Sequence, residues 1–258
     1  MLLGAAAERG WATVDLERWV AMGGPQERVL IIRHDVDQHP ATAVKMARID
    51  ARHAVRGTWY FRWRTCSLRA IEAIQELGGG IGFHYETLTR LALERSLAPE
   101  DISDALIAEA REELRREIEI FRSHVGPIRS ICAHGDTRAA GISNQVLVKG
   151  VDPSDLGGVF DSNEALSQHG LGLWMTDRSA SDGGWKEQID PQAVLRERDD
   201  PVLCLTHPNN WCSGMSLWAD RVRAAVLPAP PIDRRRPLLG MRTRRDRPPR
   251  ESSVPPAG

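Results

Sequence analysis

The sequence predicts an α/β fold with a mainly parallel sheet or barrel, and three observations carry that prediction. Short apolar runs such as Val29-Leu30-Ile31-Ile32 and Val202-Leu203-Cys204-Leu205 have the length and continuity of strands buried on both faces. Between such runs lie stretches whose apolar residues recur at helical spacing, among them 40–55, 67–77 and 101–123. Strand-like and helix-like stretches alternate through most of the chain, the order that generates parallel pairing. The 258 residues suffice for one large α/β domain or two small ones, and no internal repeat divides them.

Trp11, Leu16, Trp19 and Val20 predict a lead-in helix over 11–22, stopped by Gly23-Gly24-Pro25. The first strand follows over 28–34. Pro40 opens a helix that runs to Val55, with Ala43, Met46 and Ala47 on its inner face. Gly57 ends it, and Thr58-Trp59-Tyr60-Phe61 is rich in strand-favouring residues. The helix over 67–77 stops at Gly78-Gly79-Gly80, and 81–84 reads as a third strand. That glycine cluster precedes a strand and lacks a following Lys-Ser/Thr, so it is a helix stop rather than a phosphate loop. The charged helix over 101–123 carries the apolar stripe Ile107, Leu114, Ile118 and Phe121. Gly126-Pro127 breaks it before a fourth strand over 128–133. From 137 to 170 the pattern is weak, with a strand expected over 147–151. Residues 172–177 and 202–207 read as further strands, and a short helix over 215–225 closes the fold. Beyond 229, proline and arginine dominate without apolar periodicity, and a disordered tail is expected.

The net charge of −1 is unevenly spread: from Asp233 onward eight arginines face three acids, so the tail carries +5 and the body −6. An acidic body argues against nucleic acid as a substrate, and the arginines from Arg234 to Arg250 read as a solvated run rather than a nucleic-acid or anionic-membrane contact. Cys66, Cys132, Cys204 and Cys212 lie too far apart for a zinc knuckle or a disulfide framework. Cys132 and Cys204 sit in apolar runs as buried thiols. The start has no basic n-region, and no stretch approaches the roughly 20 apolar residues of a membrane span. A cytoplasmic location is therefore expected.

Four strands end in chemically active residues: His34-Asp35-Val36-Asp37, His84-Tyr85-Glu86, His134-Gly135-Asp136 and His207. In parallel α/β folds the carboxyl ends of the strands share one face, where sites form. A buried strand running into two carboxylates must pair, hydrogen-bond or coordinate them. Residues two apart point to the same side, so Asp35 and Asp37 can face one pocket unless Asp37 caps the next helix. Histidine with carboxylate is also the ligand set of a catalytic divalent metal that keeps one position open. His53, His124 and His169 fall in helical or loop contexts and read as surface residues.

Arg33-His34-Asp35-Val36-Asp37, Gly57-Thr58-Trp59-Tyr60-Phe61-Arg62, Gly80-Ile81-Gly82-Phe83-His84-Tyr85-Glu86-Thr87-Leu88 and Leu205-Thr206-His207-Pro208 together resemble a divergent polysaccharide deacetylase, over about residues 27–212. The resemblance implies a distorted (β/α) barrel, usually of seven strands, over 27–228, after the lead-in helix (1–26) and before the tail (229–258). It also implies hydrolysis of the acetyl amide of an N-acetylated sugar, or a related C–N bond, with a divalent metal, often zinc. Carried across, Asp35 matches the catalytic base, Asp37 the metal-binding carboxylate and His84 the first metal histidine. His207 matches the general acid toward the leaving amine. The Asp-x-Asp spacing is a variant of two adjacent acids. Leu88 stands where the second metal histidine belongs, and His134-Gly135-Asp136 replaces an arginine-proline motif. A third protein ligand must come from elsewhere or be absent: His134 is the first candidate and Glu86 the second, with orientation of His84 as the other role for Glu86. Arg62 is expected to hold Asp35 ionised, to bind a substrate anion or to form a structural ion pair. The alternative is a catalytically inactive relative that binds a sugar or a protein, with Trp59, Tyr60, Trp174 and Trp211 available for stacking.

Overall fold

The computed structural model describes residues 2–178 and 184–212. The helix expected over 215–225 and the tail from 229 lie outside them.

The centre of the fold is β2 (Val29–Val36), all eight of whose residues are buried. A strand in that position needs a partner on each edge and cover on both faces, which its unbroken apolar start supplies. Around it run β3 (Thr58–Phe61), β4 (Gly80–Tyr85), β5 (Ser130–Ala133) and β6 (Phe160–Asp161) on one side, with β8 (Val202–Thr206) and then β7 (Leu173–Thr176) on the other. All are parallel, and the seven curl into a half-barrel. Among the described residues β6 and β7 do not pair, so the barrel stays open between them. The expected seven-stranded distorted barrel is therefore present in open form.

Alternation along the strands divides the side chains into two sets. Ile31, Tyr60, Cys132, Leu203 and Leu205 meet on the concave side, above Leu16 and Trp19. On the convex side Trp59, Phe61, Phe83 and Ile131 pack under α3 (Pro40–Arg52), α4 (Leu68–Glu76), α5 (Thr87–Glu94) and α6 (Asp104–Val125). Leu30, Ile32 and Cys204 pack on the same side beneath α1 (Leu2–Glu8) and α8 (Pro191–Glu197). Gly82 is required on the concave face, because a Cβ there would overlap the Tyr60 ring and press on the Ser130 carbonyl. Cys132 and Cys204 are free buried thiols, as read from their apolar surroundings.

The departures from expectation have local causes. The single helix expected over 11–22 is instead β1 (Ala12–Val14) and α2 (Leu16–Ala21). β1 pairs with Val29–Ile31, and Asp15 starts the helix by accepting from the Arg18 N–H at 2.7 Å. The strand expected over 147–151 does not form. A 3-10 turn covers Asn144–Leu147, and Arg111 rather than a neighbouring strand donates to the carbonyls of Val146 and Leu147. Helices α1, α5, α7 (Ser162–Gln168) and α8 are not expected from the sequence; they are seven or eight residues long, too short for periodicity to declare them. His53 is exposed as expected, whereas His124 and His169 are half-buried, His169 lying edge-on to Trp19 at 5.3 Å.

Candidate functional site

The carboxyl ends of β2, β4, β5, β7 and β8 build the site. Asp35 projects from β2 to the concave side with Arg33, two residues earlier and so on the same face. Arg33 Nε and Nη2 donate to the two Asp35 oxygens at 2.8 and 2.7 Å, and both residues are buried. Arg33 also donates to Asn163 Oδ1 (2.7 Å) and Ser162 Oγ (3.1 Å) on α7 (Ser162–Gln168), across the barrel, and its guanidinium stands 5.2 Å from the Tyr60 ring. Burial by itself would raise the Asp35 carboxyl; the Arg33 charge, with His84 behind it, reverses this and holds it far below the usual carboxylate range.

His84 closes β4. Its Nδ1 lies 3.0 Å from the Cys132 carbonyl. A carbonyl only accepts, so Nδ1 carries the proton, and in the neutral ring the lone pair is on Nε2. Nε2 faces carboxylate oxygens of Asp37 (3.4 Å) and Asp35 (3.6 Å). His134 follows β5, where its N–H extends the ladder to the Tyr85 carbonyl at 2.8 Å. Its Nε2 reaches 3.5 Å from the same Asp37 oxygen, and its ring stands edge-on to His84 at 5.0 Å. Burial first, then the charge of His84, push the His134 imidazole down to about 4, so it is neutral at pH 7. Asp37 Oδ1, at the meeting point, is buried and has no hydrogen-bond partner among the described residues.

Asp37, His84 and His134 thus offer three donor atoms within 4.8 Å of one another. A buried carboxylate oxygen without a hydrogen-bond partner is unfavourable unless something positive lies beside it. The three residues therefore fit a divalent cation. Asp35, His84 and Cys132 form a second, overlapping group, deeper in the barrel. The alternative in which Asp37 caps the next helix fails, because the N-cap of α3 is His39.

Leu88 lies in the first turn of α5, 1% exposed and packed in the core. Asn144 ties this turn to His134: its Oδ1 accepts from the N–H groups of Leu88 (2.9 Å) and Thr89 (3.1 Å), while its Nδ2 donates to the His134 carbonyl (2.7 Å). Arg62 does not reach Asp35. Its Nε donates to Glu86 Oε2 at 2.6 Å, forming an ion pair at the end of β4. Glu86 does not orient His84, whose Nδ1 is taken by Cys132; it sits instead 3.8 Å from His134 Nδ1.

His207 follows β8. Its Nδ1 lies 2.7 Å from Asp177 Oδ1, and its backbone N–H donates to Asp177 Oδ2 at 2.8 Å. Burial would lower its pKa, but the Asp177 hydrogen bond and the charges of Asp35, Asp177 and Asp37 outweigh it and raise the value. His34 does not join the site. It points to the convex side, between Thr206 Oγ1 (2.6 Å) and Asp50 Oδ2 (2.9 Å), and stacks on Trp59. Three of the four strand-end histidines converge on the concave face, and His34 is the exception because its position has the wrong parity.

Solved structures of carbohydrate esterase family 4 resemble this chain. A family pseudoenzyme from Bacillus anthracis has a TM-score of 0.43 and 15% identity, with 76% of this chain and 60% of that one covered. A family 4 carbohydrate esterase from the same organism gives 0.40 and 14%, with 76% of each chain covered. The peptidoglycan deacetylase PdaC from Bacillus subtilis gives 0.41 and 13%, with 78% and 98% covered. The chain spans about three fifths of the length of the first of these. No protein-family model matches the sequence, and no curated protein does.

Three residues of the site escaped the sequence reading. Arg33 was legible in principle, since period-2 alternation places it beside Asp35. Asp177 closes a strand, as the other site residues do. Asn144 sits in the patternless stretch and left no signal.

Proposed function

We propose that this chain is a metal-dependent hydrolase that removes the acetyl group from an N-acetylated sugar or glycan precursor, with Asp37, His84 and His134 holding the metal. The observation that carries this reading is the convergence of Asp37 Oδ1 with the Nε2 atoms of His84 and His134, the carboxylate oxygen otherwise unpartnered. One carboxylate and two imidazoles suit zinc and leave room for water. A cation bound there polarises a carbonyl and lowers the pKa of water toward ~7.

The chain supplies the proton transfers. Asp35, ionised at neutral pH beside Arg33, accepts a proton from the attacking water. Asp177 fixes the Nδ1–H of His207 and raises its pKa, which favours the protonated ring whose Nε2–H protonates the departing amine. Water and amide thereby become acetate and free amine. His134 takes the part left open at Leu88, which faces the core.

The test uses zinc-loaded protein and N-acetylglucosamine oligomers, with released amine as the readout. Asp35→Asn is expected to abolish turnover while zinc still binds; retained turnover would reject Asp35 as the base. The second reading, a sugar- or protein-binding domain without turnover, draws support from the engagement of both Asp35 oxygens by Arg33. Purified protein that holds no metal and gains none on zinc addition would favour it.

A further inference from the structure

We infer that Trp211 is the platform on which the sugar ring of the substrate lies, an assignment that rests on the deacetylase reading above. Among the described residues it is the most exposed of the large apolar side chains, at 52%. The indole is nevertheless held in place. Its Nε1–H donates to Asp177 Oδ2 at 2.7 Å, and its ring packs edge-on against Trp185 at 6.4 Å. With its N–H satisfied internally, the indole offers solvent mainly apolar aromatic surface, which suits the C–H face of a pyranose.

The location specifies the ligand further. Asp177 Oδ1 holds His207 Nδ1, so one carboxylate fixes both the proposed acid and the indole. A ring stacked on Trp211 is therefore one residue removed from the group that protonates its amine. The other aromatics that the sequence offers for stacking are less open: Trp59 and Tyr60 are fully buried, with Trp59 covered by His34, and Trp174 is half-buried against the concave core. The chemical class that fits is a neutral or N-acetylated pyranose, rather than a linear amide.

Two variants separate the face of the indole from its N–H. Trp211→Ala removes both, while Trp211→Phe keeps an aromatic face and loses the donor to Asp177. Isothermal titration of the N-acetylglucosamine tetramer into the zinc-loaded full chain should show Trp211→Ala weakened roughly 3- to 10-fold. Trp211→Phe should stay nearer wild type than the alanine variant. Equal weakening in both would show that the N–H to Asp177 is what matters and would overturn the platform. Unchanged affinity in Trp211→Ala, or no binding by the wild type, would overturn it as well. Amine release is scored separately: tetramer binding that depends on the ring, without any release, rejects the hydrolase reading and leaves the platform standing.

Discussion

Replacing Arg33 with methionine removes the partner of a buried carboxylate and keeps most of the side-chain volume. Arg33 and Asp35 are 2% and 3% exposed, and both Asp35 oxygens accept from the guanidinium. Stranding one member of such a pair costs ~3–5 kcal/mol, and the bonds to Asn163 and Ser162 are lost with it. At roughly 2–4 °C per kcal/mol for a chain near this size, the melting temperature should fall by about 6–20 °C. The comparison belongs in chelator, at pH 7, by urea and thermal unfolding of the full chain, so that metal binding does not enter. The pH dependence has a definite sign. In the wild type the Asp35 carboxyl lies below its unfolded value, so its contribution is present above ~3.9 and is lost only as pH falls through the lower folded value. Without Arg33 the buried carboxyl protonates readily, so the gap between wild type and variant should narrow in acid. Adding Asp35→Asn to the variant should recover part of the loss, since the unpaired charge is then gone. A single variant within about 1 kcal/mol of wild type would refute the reasoning, because it would place the pair in a far more polar setting than its burial indicates.

His134→Ala should weaken zinc affinity by at least the ~10–100-fold that loss of an outer partner costs, measured by competition with a chromogenic chelator; unchanged affinity would return the third ligand to Glu86 or to water. Asp177→Asn should move the alkaline limb of the pH–rate profile to lower pH. The Asp177 hydrogen bond is the largest influence that raises the His207 pKa, a general acid loses activity as pH rises through that value, and lowering the value brings the loss earlier. An alkaline limb that stays in place would remove His207 from the role of acid.

The order of the elements was legible because both signals involved are local. Val29-Leu30-Ile31-Ile32 reads as a doubly covered strand wherever it sits, and α6 shows its apolar stripe over 22 residues. The strand-end residues were legible for the same reason: parallel pairing brings carboxyl ends together, so His84, His134 and His207 could be assigned to one face from their positions alone. Parity along β2 was enough to put Asp35 and Asp37 together, and it should have put His34 on the other side.

What depended on distance in space was not legible. The sequence places Arg62 and Arg33 equally well as partners for Asp35; the concave surface of the half-barrel selects Arg33, because the ion pair of Arg62 with Glu86 takes it out of reach. Whether Leu88 leaves a gap likewise turned on tertiary packing, since the seating of α5 on the core buries that side chain, while the ladder of β5 and the Asn144 bond hold His134 beside Asp37. Sequence by itself determined which groups are expensive to bury and on which elements they ride. Tertiary structure decided which of them neutralise one another, because a charge in a low-dielectric interior answers to the atoms within a few ångströms, whatever their separation along the chain.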